Sequence, residues 1–157
     1  TLDQDVAYGL RMLVDIAERS LADSPFLDPT TAVQAVDRLH DCLRQLVVRP
    51  FPDGRHRDET GEVRLIVPML DWEGYVTLAF DEIRFYGASS IQVMRRMRAL
   101  LQGLMEHVPP ERRPALQRYL GRVDTGIHRA FEDGDDRKDA LEEDRQGLGL
   151  SRERRQG

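Results

Sequence analysis

Ser24-Pro25-Phe26-Leu27-Asp28-Pro29-Thr30-Thr31 lies between two strongly amphipathic patterns, and the rest of the chain is arranged around it. Asp28 before Pro29 is the signature of a helix cap followed by the first helical residue. The carboxylate accepts from free amides of the first turn, and proline lacks the one donor that would go unused there. Thr30 and Thr31 add two hydroxyls to the same turn. Upstream, Val6, Leu10, Leu13, Val14, Ala17 and Leu21 recur at helical spacing with Ile16 on the flank, and Arg11, Asp15, Glu18 and Arg19 fall on the opposite face. Downstream, Val33, Val36, Leu39, Leu43, Leu46 and Val47 predict a second helix from Pro29 to about Val47. The short link between them, Ser24–Leu27, favours two antiparallel neighbours.

Working outward, Thr1-Leu2-Asp3-Gln4 has the form of a capping box for the first helix. A chain that starts on a helix cap is expected to be a piece of a longer protein. Gly9 is a poor helix former, and close packing against a neighbour is its expected reason. After Val47, Pro50, Pro52 and Asp53-Gly54 force turns. Arg55-His56-Arg57, a glycine-containing connection and Val63-Arg64-Leu65-Ile66-Val67 then predict a β-hairpin, with one face laid on the helices or on a partner. Asp71 caps a third helix carrying Trp72, Val76, Ala79, Phe80 and Ile83, and Gly87 ends it. Ser89 and Gln92 form a capping box for a fourth helix running to about His107. Beyond Pro109-Pro110, the residues Leu116, Leu120, Val123, Ile127 and Phe131 predict a fifth. The remainder is dense in charge, with a short helix expected over Asp136–Asp144.

The expected architecture is therefore mainly α, a five-helix bundle-like domain over residues 1–131. It has one hairpin insertion at about 55–67 and a charged tail, partly helical or ordered by a partner, over 132–157. Its 157 residues are enough for one sizeable core. The net charge of −5 excludes the basic surface of a generic nucleic-acid binder. Cys42 is the sole cysteine, so no disulfide forms within the chain, and a lone thiol suits a reducing compartment. No apolar run approaches the roughly 20 residues that span a bilayer.

Three stretches carry a resemblance: DVAYGLRMLVDIAERSL from Asp5, SPFLDPTTAVQAVDRLHDCLRQL from Ser24, and DRQGLG from Asp144. Together they resemble the soluble C-terminal part of a family of predicted bacterial membrane proteins, domain of unknown function 2254. Where many relatives place asparagine before the Asp-Pro pair, this chain has Leu27. The resemblance implies membrane-spanning helices upstream and a place in the bacterial inner membrane with this part cytoplasmic. It implies no established activity, cofactor or substrate.

Among polar constellations, the Asp28–Thr31 turn could take an anion at a helix N-terminus, although Asp28 already supplies the negative charge. Arg11 and Asp15, four apart, can pair on one face. In a functional arrangement Arg11 would instead reach Thr30 and Thr31. Arg11, Asp15, Asp28, Thr30 and Thr31 are thus the candidate ligand-binding residues. Asp37, His40 and Asp41, or Asp124 and His128, have loose metal-ligand spacing but lack the paired Glu-x-x-His motifs of a bundle metal site, so no metal is expected. There is no nucleophile elbow and no phosphate loop, and Cys42 among leucines reads as an inert thiol. Nothing marks a catalytic site. Arg55, His56, Arg57 and Arg64 could touch anionic lipid, or simply pair with Asp58, Glu59 and Glu62. The expected role is an assembly or regulatory module that forms a homo-oligomer through the hairpin or the tail. The alternative is a ligand-sensing or enzymatic domain with a polar site near the Asp28–Thr31 turn.

Overall fold

The computed structural model describes residues 5–22 and 27–142, and contains six helices and one two-stranded hairpin among them. In order these are α1 (Val6–Ala22), α2 (Pro29–Leu46), β1 (Arg55–Arg57), β2 (Val63–Ile66), α3 (Trp72–Tyr86), α4 (Ile91–Met105), a 3-10 turn over Pro110–Arg112, α5 (Arg113–Ala130) and α6 (Gly134–Leu141). α1 packs against α2 and α3, α3 against α5, and α4 against α2, α5 and α6.

The caps follow the chemistry of the sequence. Asp28 Oδ1 accepts from the amides of Thr30 and Thr31, both at 3.1 Å, and its Oδ2 accepts from the Thr31 hydroxyl at 2.5 Å. Asp71 caps α3 through Gly74 N, and Gly87 ends that helix. α1 differs from expectation. The Thr1–Gln4 box lies outside the described residues, and Asp5 accepts from the amides of Ala7 and Tyr8. Ser90, not Ser89, caps α4 through Val93 N, because the extended backbone that a cap requires falls at the second serine. A Cβ added at Gly9 would meet nothing within 4 Å among the described residues, so none of them packs closely enough there to require glycine.

Trp72, Val76, Ala79, Phe80 and Ile83 of α3 are all buried, as are Leu10, Val14, Ala17 and Leu21 of α1 and Val33, Val36, Leu39 and Leu43 of α2. Val6 and Ile16 stay largely exposed, so the α1 stripe is narrower than its spacing suggests. α4 carries the most buried residues of any helix, Arg95 among them. Three consecutive positions or nearly so, Arg95, Arg96 and Arg98, reach from it to three other helices. Arg95 Nε donates to the Asp139 carbonyl at 2.6 Å, Arg96 pairs with Asp37, and Arg98 meets Asp124 at 2.9 Å and donates to the Leu141 carbonyl at 2.9 Å.

The sixth helix corrects the expectation of five. α6 starts at Gly134 rather than Asp136, capped by Asp133, and it is ordered by the chain itself. Ala140 is buried, and Arg137 reaches back to the carbonyls of Phe131 and Glu132 at the end of α5. A polar helix can dock this way because arginines satisfy carbonyls that a helix end leaves without partners.

Of the two places expected for a face of the hairpin, the helices and a partner, the structure excludes the first. Every residue of both strands is exposed, so neither face lies on the helices. Its base is fixed instead by Gly54 and by Arg112. The Arg112 guanidinium donates to the carbonyls of Val47 and Arg49 and lies 4.6 Å from the Phe51 ring centroid. Trp72 Nε1 in turn donates to the Arg112 carbonyl at 3.0 Å.

Candidate functional site

Helical spacing along α2 puts Thr31, Gln34, Arg38 and Asp41 on one side, three or four residues apart. With Leu13 and Ile16 of α1 and Arg96 of α4 they border an open groove of about 550 Å³. Thr31 links this groove to the cap turn. Asp28 is wholly engaged as a cap, and its Thr31 hydrogen bonds hold its carboxyl below the ordinary carboxylate range. The turn therefore presents a satisfied N-terminus rather than free amides.

Arg11 and Asp15 belong to a different cluster. Arg11 Nε meets Asp15 at 2.7 Å, its Nη1 meets Glu82 of α3 at 2.7 Å, and its Nη2 lies 3.7 Å from Glu18. The hydrogen bond from Arg11 is the main reason the Glu82 carboxyl sits below its usual range. Arg11 is thus directed to α3 rather than to Thr30 and Thr31. Of the five candidate residues, Asp28, Thr30 and Thr31 are brought together, Arg11 and Asp15 are brought together, and the two groups are separate.

Asp15, Glu18 and Glu82 form the one convergent group of possible metal ligands among the described residues. Arg11 pairs with all three carboxylates and already occupies the space between them. Asp37, His40 and Asp41 do not converge, since Asp37 turns to Arg96, and Asp124 is engaged by Arg98. Cys42 is half-buried, and burial raises its thiol, which leaves it a weak nucleophile at neutral pH.

A second, smaller cavity of about 170 Å³ shares His40 and Arg96 with the groove and continues between α2 and α4 to Leu100, Gln102 and Glu106. His40 Nε2 and Gln102 Oε1 on its walls are both buried without a hydrogen-bond partner among the described residues. Burial, with Arg44 and Arg96 nearby, lowers the His40 pKa and favours the neutral ring. Gln102 and Arg96 did not stand out in the sequence. The available signal was the run Arg95-Arg96-Met97-Arg98 inside an apolar stripe, since arginines there must reach across to other helices.

At the hairpin, Asp58 organises the connection. Its carboxylate accepts from the Thr60 amide and hydroxyl, the Glu62 amide and Arg64 Nε. Arg64 also meets Glu62 at 3.1 Å, and Arg57 donates to the Gly61 carbonyl. Beside these charges Val63, Leu65, Ile66, Val67, Met69 and Leu70 stand exposed in succession, Leu65 by 56% and Ile66 by 63%.

The family model described as a predicted membrane protein, domain of unknown function 2254, matches residues 1–103. The chain belongs to this family. The match takes in the cap turn, the groove, the hairpin and the His40–Gln102 cavity as far as Gly103. Uncharacterised proteins of Mycobacterium tuberculosis and Mycobacterium bovis are 37% identical over 139 residues, 87% of this chain. The chain spans about a quarter of their length, 26%. No solved structure matches it. Among the described residues of this domain of unknown function 2254 member, no helix is long and apolar enough to cross a membrane.

Proposed function

We propose that this chain is an assembly or regulatory module of a membrane protein and that it joins copies of itself through the hairpin. The observation that carries this reading is the exposed apolar run from Val63 to Leu70 on a hairpin with no face on its own domain. A two-stranded hairpin alone is marginal, and its outer strand edges are templates for pairing. A second copy is the occupant that the charges favour. The chain carries −5, so copies repel, yet Arg55, Arg57 and Arg64 are matched by Asp58, Glu59 and Glu62 within the hairpin. An anionic lipid surface would want a net positive tip instead. Pairing of identical edges about a two-fold axis gives a closed dimer. The lone Cys42 thiol supports placing the module on the cytoplasmic side of the bacterial inner membrane.

Light scattering of the chain at micromolar concentration tests this. A dimer or larger mass is expected, falling to the monomer on Ile66→Lys. A monomer mass for the unsubstituted chain overturns the reading.

A second reading, a ligand-sensing domain, is favoured by the polar groove that begins at Thr31 and leads to His40.

A further inference from the structure

We propose that the cavity between α2 and α4 at His40, Gln102 and Gly103 binds a small uncharged molecule with adjacent hydrogen-bond donor and acceptor groups, the pattern of an amide or lactam edge. This deepens the ligand-sensing reading and does not depend on the hairpin, so self-association and binding fail or stand separately.

Three observations converge on the cavity. Its walls offer two buried polar atoms from two different helices, His40 Nε2 on α2 and Gln102 Oε1 on α4, neither with a hydrogen-bond partner among the described residues. Buried polar atoms are nearly always hydrogen-bonded, and two exceptions on one small cavity mark a place where a complementary group fits. Leu100 and Ala99 supply an apolar wall beside them, the usual composition of a small-molecule site.

The second observation is Gly103. Its φ is not positive, unlike those of Gly54 and Gly61, so the backbone does not require glycine. Glycine in a helix interior is unfavourable relative to alanine. A Cβ added at Gly103 would lie 3.8 Å from His40 Nε2 and 3.9 Å from Cε1, an ordinary contact. Alanine would therefore be tolerated by the fold, and glycine keeps open the space next to the imidazole nitrogen.

The third is the balance of charge, which selects an uncharged ligand. Of the charged groups on the wall, Arg96 is paired with Asp37 and Glu106 is engaged within the chain, while the His40 ring is favoured in its neutral form. Gln102 Oε1 is an acceptor and calls for an N–H or O–H donor. A neutral imidazole with hydrogen on Nε2 donates to a carbonyl. A single N–H and its neighbouring C=O satisfy both walls at once. The wider groove sharing His40 and Arg96 gives an entry path.

The test titrates the whole chain with uracil and with nicotinamide, a cyclic and a primary amide, and with 1,3-dimethyluracil, which has no N–H donor. Binding is followed by the ring-proton resonances of His40 and the amide of Gly103. Saturable millimolar shifts are expected with at least one of the two amides and none with dimethyluracil. Gly103→Ala should raise the unfolding midpoint while weakening binding about tenfold or more, and Gln102→Leu should weaken it similarly by removing the acceptor. A merely structural glycine would show the first effect without the second. Resonances unmoved by both amides mean that solvent alone satisfies the two atoms, and that result overturns the proposal. Equal shifts with dimethyluracil, or binding unchanged in Gly103→Ala, overturn it as well.

Discussion

Arg95 Nε donates to the carbonyl of Asp139, 44 positions later in the chain, at 2.6 Å. Arg95 is 5% exposed, and together with Arg98, which donates to the Leu141 carbonyl, it ties α4 to the polar helix α6. Arg95→Ala removes a charged donor and leaves a part-buried carbonyl without it, which costs about 1–3 kcal/mol. The long apolar stem is lost as well. Arg95→Met, which restores most of the stem, should lose less. Urea denaturation gives the magnitudes, and hydrogen exchange over residues 135–141 gives the location. Exchange in α6 that is unchanged in Arg95→Ala would show that this contact does not dock the helix.

Leu39 is fully buried at the centre of the α2 stripe. Leu39→Ala should cost about 2–5 kcal/mol, the range for removing a buried leucine and leaving part of the space unfilled. A measured loss under roughly 1 kcal/mol would be incompatible with a tightly packed site there.

The elements legible in the sequence are those whose determinants are local. The stripe from Trp72 to Ile83, the caps at Asp28 and Asp71 and the stop at Gly87 depend on spacing and side-chain chemistry within a turn or two. α6 was only half legible, because a single small residue, Ala140, enters the core and its docking rests on main-chain carbonyls met by arginines far upstream. Ser89 and Ser90 both fit a cap, and only the backbone decides between them. The β-branched run at Val63–Val67 identified a strand but could not say that both faces remain exposed. The Arg11–Asp15 pair was readable from its spacing, whereas the turn of Arg11 toward Glu82 depends on how α3 lies on α1. The cavity at His40 and Gln102 was out of reach, since helical spacing does not reveal which buried polar atoms lack partners.

Gly54 closes the base of the hairpin at φ +69°, with the Val67 amide donating to its carbonyl at 2.8 Å. An added Cβ would lie 2.0 Å from the Val67 carbonyl oxygen, so any side chain displaces the second strand. Gly61 has a similar φ of +85°, but a Cβ added there would meet nothing within 4 Å among the described residues. Gly54→Ala should therefore cost more than the roughly 1 kcal/mol of backbone strain expected at either position, and Gly61→Ala about that strain alone. Cross-strand contacts between His56 and Leu65, which are register partners, should disappear in the first variant and survive in the second. Equal losses for the two variants would mean that the steric conflict at Gly54 is relieved by a small shift.

Asp58 titrates at about 2, down from 3.8, chiefly because the Thr60 hydroxyl and then Arg64 donate to its carboxylate. A depressed folded-state value means that the carboxylate form stabilises the hairpin. That contribution is fully present above pH 3.8 and is lost as pH falls through about 2. The amide resonances of Thr60 and Glu62 should then move together with a midpoint near 2, well below that of a free aspartate. Salt should raise the midpoint only in part, because it screens the Arg64 pair and leaves the Thr60 hydrogen bonds in place. Asp58→Asn should abolish this acid transition, and Arg64→Gln should raise its midpoint without removing it. A midpoint near 3.8 in the unsubstituted chain would show that the connection is not held by this carboxylate.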